Sequence, residues 1–185
     1  MSDMRARPQP GLIPAFLQDD LAEELKTILK DVRLKDTSGE LVPINIYLQQ
    51  LPVQDVAALP DAITDEMLEE GTYHNPETLL QPFPYLIVRL ESGGLESPTA
   101  YARASVTIII GVTDSDYASQ GHKDVLGVMQ RICERFEKHP VLARSYECVP
   151  PIRWALSDED THPFFFGALS VSFEYLSLVR EDPYT

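Results

Sequence analysis

The chain has 185 residues, 44% of them apolar and 24% charged, a balance that fits one soluble-type domain with a real core. Its formal net charge of −14 excludes a nonspecific grip on DNA or anionic lipid, which rests on clustered Lys and Arg. No apolar run approaches the ~20 residues of a membrane span, and the first residues lack the apolar core of a secretory signal.

Pro8, Pro10 and Pro14 predict an extended arm over residues 1–17. A helix is expected next. Asp19 or Asp20 can cap it, and Leu21, Leu25, Ile28, Leu29 and Val32 share one face at helical spacing. A turn at Ser38-Gly39 leads into a strand over 43–49.

Between Leu51 and Leu80 the chain carries Asp55, Asp61, Asp65, Glu66, Glu69, Glu70 and Glu77 with no basic residue. This acidic section, about 51–80, also contains Pro52, Pro60 and Pro76 and reads as an insertion with one short helix near 64–70. Pro82 and Pro84 mark the return into a strand at 85–91. Gly93-Gly94 and Ser97-Pro98 then make a hairpin-like link to a strand at 103–112. There Val106, Ile108, Ile110 and Val112 share one face, while the other is less apolar.

The polar loop 113–121 delivers the chain into a helix over 122–138. Its core stripe is Val125, Met129, Ile132 and Phe136, flanked by Leu126 and Cys133, and Pro140 enforces its stop. A strand at 146–154 is interrupted by Pro150-Pro151, which suits an edge or a bulge. The last strand alternates Leu169, Val171, Phe173 and Tyr175 against Ser170, Ser172 and Glu174. The expected fold is one α+β domain over 1–185: an antiparallel or mixed sheet of four to five strands with two main helices on one face.

Catalytic signatures are missing from the sequence. His74, His122, His139 and His162 are scattered without a metal-ligand partner at helical spacing. Cys133 and Cys148 form no CxxC pair and read as reduced core thiols. Asp114-Ser115-Asp116 looks like a fragment of a calcium loop but lacks its glycine and distal glutamate. A turn bonding its own backbone is the better reading. No phosphate-binding glycine loop or nucleophile elbow is present, and neither a cofactor nor a resident metal is expected. Phe164, Phe165 and Phe166 open the last strand, so alternate rings point to opposite faces; burial on both sides and contact with another subunit both remain open.

Several of these stretches, in this order, resemble the tail terminator (tail completion) proteins of long-tailed bacteriophages and prophages. They are Pro82-Phe83-Pro84-Tyr85-Leu86-Ile87-Val88, Ile108-Ile109-Ile110-Gly111-Val112-Thr113-Asp114 and Gln120-Gly121-His122-Lys123-Asp124-Val125. His139-Pro140, Pro150-Pro151-Ile152-Arg153-Trp154-Ala155-Leu156 and the segment from Pro163 to Phe173 complete the set. The match covers about half of the chain, chiefly 82–176, and leaves the acidic section as an insertion.

The resemblance implies a structural protein, not an enzyme. It implies a homo-oligomeric ring, commonly hexameric, on the head-proximal end of the tail tube, with the tail tube protein and a neck protein as partners. DNA would pass through without being bound specifically. The implied location is the tail–neck junction of the virion, after assembly in the host cytoplasm. On this reading Asp114, Asp116, Tyr117, Pro150, Pro151, Phe164, Phe165 and Phe166 are candidate subunit contacts. Asp65, Glu66, Glu69 and Glu70 are candidates for an acidic channel or rim. The competing readings are another neck component, such as a head-completion or stopper protein, and a metal-dependent hydrolase or binding domain using Asp114, Asp116 and His122.

Overall fold

The structure, a computed structural model, describes residues 13–52, 83–97, 100–116 and 120–176. Helix α1 runs Ile13–Ile28 and buries Leu17, Leu21, Ala22 and Leu25 together with Gln18. It starts earlier than the sequence suggests, which corrects the extent of the extended arm: residues 13–17 are helical. Pro14 lies in the first turn, where no intrahelical N–H bond is lost, so a proline there does not prevent a helix. Asp19 and Asp20 consequently fall inside the helix and do not cap it. The helix also ends sooner, at Ile28. Beyond that end, Arg33 Nη1 donates to the carbonyls of Lys30 at 2.7 Å and Val32 at 2.9 Å.

Strands β1 (Leu34–Lys35) and β2 (Leu41–Val42) form a separate antiparallel ribbon. Its turn is closed by Asp36, whose Oδ1 accepts from Ser38 N at 2.8 Å, Ser38 Oγ at 2.6 Å and Glu40 N at 2.9 Å. Gly39 supplies the left-handed conformation, φ +86°, that the turn needs.

The remaining strands are β3 (Asn45–Leu48), β4 (Tyr85–Gly94), β5 (Ala102–Thr113), β6 (Val141–Leu142), β7 (Tyr146–Leu156) and β8 (Phe164–Tyr175). They make one sheet in the order β3-β4-β5-β8-β7-β6. Helix α2 (Gly121–Lys138) connects β5 to β6. The sheet is mixed, because β3 runs parallel to β4 and every other pairing is antiparallel.

The α+β class therefore holds, but the strand count does not: among the described residues the main sheet has six strands, and the β1–β2 ribbon is separate from it. The extra strand β6 has only two residues, too few to show a period of two.

One large core lies between the sheet and both helices. It joins Leu17, Leu21 and Leu25 of α1, Val125, Met129, Ile132 and Phe136 of α2, and the alternating positions Val106, Ile108, Ile110, Leu169, Val171 and Phe173. Burying each such side chain contributes about 1.5–3 kcal/mol before chain entropy is subtracted. Close contact between α2 and the sheet needs Gly167, where a Cβ would meet Met129 Cε at 2.4 Å and Val125 Cγ1 at 2.7 Å. Arg135 Nε bonds Glu24 Oε1 at 2.5 Å and so ties α2 to α1.

Packing is not confined to that face. On the other side Phe83, Tyr85 and Ile87 form a second buried cluster with Tyr47, Leu51, Ile109, Phe164 and Phe166 against it. Ile109 stands among Ser105, Thr107 and Gly111 in the sequence, and this local cluster is what gives it partners.

Candidate interaction surfaces

The loop after β5 is organised by Asp114. Its Oδ1 accepts from Lys35 Nζ at 3.0 Å and from Asp116 N at 3.3 Å, and its Oδ2 accepts from Gln120 N at 3.2 Å. Its own backbone N donates to Pro163 O at 2.9 Å, which fastens the loop to the turn before β8. The hydrogen bond from Lys35 is the main cause holding the Asp114 carboxyl below its usual range, and the same bond raises Lys35.

Asp114 is buried, whereas Asp116 is exposed. Both carboxylates thus serve a self-bonded turn or face solvent. Among the described residues no three His, Cys, Asp or Glu side chains are placed to hold a metal. Tyr117, His74 and the acidic residues Asp65, Glu66, Glu69 and Glu70 lie outside the described residues.

The three phenylalanines at the head of β8 split as strand alternation requires. Phe165 faces the helix side, where its ring fills the space that a side chain at Gly121 would occupy. Phe164 and Phe166 face the other way onto Phe83, with ring centroids 4.9 Å and 6.1 Å from it. All three are half-buried. Both sides of the strand are packed, and each ring retains some accessible surface.

Pro150 and Pro151 sit in an irregularity of β7: Val149 pairs with Ser172 and Arg153 with Ser170, so the residues between them bulge out of the ladder. Among the described residues β7 is an edge beyond the bulge. Its other neighbour, β6, reaches only Tyr146 and Glu147, extended by Cys148 N donating to Pro140 O at 2.8 Å.

The orientation of the edge follows from one bond. Ser157 N donates to Phe166 O at 2.9 Å, so the odd-numbered positions 153, 155 and 157 direct their backbone groups at β8. Trp154 and Leu156 direct theirs outward.

Those two positions carry helix-side side chains: Trp154 stands opposite the core residue Leu169, and Leu156 packs on the main core, as does Ile152 in the bulge. Trp154 is nevertheless 58% exposed. It flanks a cavity of about 410 Å³ against α2, lined by Leu126, Gly127, Met129, Gln130 and Cys133. The sequence reading missed this groove. The available signal was the chain's only tryptophan, placed on a strand that two prolines already mark as an edge.

Compared with protein-family models and with curated proteins, the chain matches none.

Proposed function

We propose that this chain is a ring-forming structural subunit of a phage tail, capping the head-proximal end of the tail tube. There it stops tube growth and offers the surface on which the head is joined. Its partners on this reading are further copies of itself, the tail tube protein and a neck protein, at the tail–neck junction of the virion.

The observation that carries the proposal is the ordered set of stretches between residues 82 and 176 that resembles tail terminators. Those stretches build one unit of β4, β5, α2, β7 and β8. Among the described residues the unit ends in an uncovered edge, with an exposed tryptophan beside an apolar groove. Such features suit contact with other chains.

The test is electron microscopy of particles assembled without this protein. Tails of irregular length, unattached to filled heads, are expected. Tails of normal length joined to heads would overturn the proposal. Purified protein labelled with gold should mark the free tips of isolated tail tubes; marking of the portal instead would assign the chain to the head-completion side of the neck.

A further inference from the structure

Among the described residues the six-stranded sheet has a second uncovered edge, at β3, and the chain thereby carries both halves of one contact. Asn45 N donates to Pro84 O at 3.0 Å and Gln49 N to Val88 O at 2.9 Å, so the odd positions of β3 turn toward β4. Ile46 and Leu48 turn their amides outward. Among the described residues no strand lies beyond them.

Their side chains are on the helix side: Ile46 packs on the main core, and Leu48 pairs with the core residue Val88. Leu48 is 41% exposed.

The two edges match in three respects. At each, the positions with outward backbone groups are those with helix-side side chains. Joining them therefore keeps the helices of both copies on one side of a continuous sheet. The strand directions also agree. Reading across the order β3-β4-β5-β8-β7, β3 runs with β4, against β5, with β8 and against β7. Copies that share one orientation would thus place β3 of one antiparallel to β7 of the next, the pairing with the better hydrogen-bond geometry. Finally, the exposed side chains are apolar on both sides, with Leu48 arriving beside Trp154 and its groove.

We infer that the edge of β7, at Trp154 and Leu156, takes the β3 edge of a second copy of this chain. The interface is head-to-tail, because the two edges are at different ends of the sheet. Repetition of such an interface closes a ring when the rotation permits. The inference supplies a contact for the ring proposed above and rests on that reading for its closure on a tail tube.

The test uses two full-length variants, Leu48→Lys and Trp154→Lys, checked for native melting and followed by light scattering and sedimentation. Wild-type mass should rise with concentration beyond a dimer. Each variant alone should stay monomeric, and an equal mixture should form a dimer and nothing larger, since one intact β3 edge and one intact β7 edge remain. Hydrogen exchange on the wild type gives a readout without substitution: the amides of Ile46, Leu48, Trp154 and Leu156 should slow together as the mass rises.

Three results would overturn the inference. They are a wild type that remains monomeric at its highest soluble concentration, association of Leu48→Lys alone through a β7–β7 contact, and association that leaves those amides unprotected. All of these measurements are made without a tail. Normal edge pairing combined with normal particles in the deletion experiment would reject the terminator reading and keep the interface.

Discussion

Asp114 concentrates the polar bonding of the β5–α2 connection, and its ionisation has a defined effect on stability. Its folded pKa is lowered, chiefly by the hydrogen bond from Lys35. Its stabilising contribution is therefore present above the ordinary carboxylate range and is lost as pH falls through the lowered folded value. Lys35, raised by the same bond, contributes fully below the ordinary lysine range and loses its contribution as pH rises through the raised value. Asp114→Asn should flatten the acid limb of the melting temperature against pH and lower the neutral-pH midpoint by roughly 2–4 °C. An unchanged acid limb would show that other carboxylates set it.

The thiols make a second residue-scale prediction. Burial pushes the Cys148 thiol up to about 11 and also raises Cys133. An alkylating reagent at neutral pH should label the half-buried Cys133 before the buried Cys148 in the native protein, as peptide mass analysis would show.

At the scale of elements, α2 against β8 is the most demanding fit. Gly167→Ala pushes a methyl into Met129 and Val125 and also toward the carbonyl of Ala155, 3.1 Å away. A loss of about 1–3 kcal/mol in urea unfolding is expected from such overpacking. Gly127→Ala is the contrasting change, because a Cβ there meets nothing within 4 Å. It should gain up to about 1 kcal/mol from helix propensity.

The elements differed in how plainly the sequence announced them. Strands β5 and β8 and helix α2 were legible from their periods, and Val106, Ile108, Ile110, Leu169, Val171 and Phe173 all prove buried on the helix side. The start of α1 was not, because Pro14 signals chain extension and a first helical turn equally well. The ring alternation at Phe164–Phe166 could be read, but its partner Phe83 could not, since that contact crosses the sheet between residues far apart in sequence. The Asp114 turn was expected. Its bond to Lys35 was not, because it joins positions that no local pattern relates.

For the whole molecule, both helices and the six-stranded sheet share one principal core, so urea unfolding should follow a single transition by far-UV circular dichroism and by mass-resolved hydrogen exchange. The acidic section bears on function at this scale. If part of it lines a ring channel, its charge repels DNA and keeps the genome mobile. Replacing Glu66, Glu69 and Glu70 with Lys should then slow genome ejection, timed by dye release from purified particles, while assembly proceeds. Unchanged ejection would remove those residues from the channel.

Trp154 carries an optical consequence as well. It is the only tryptophan in the chain, and 58% of it faces water in the folded subunit. With that exposure the emission of the single copy should lie near that of a hydrated indole, and unfolding should change its colour little. A neighbouring chain seated over the indole removes it from water and moves the emission to the blue. On the inferred contact the protein would contain its own label-free reporter, nearly silent to loss of fold and responsive to the arrival of a second copy.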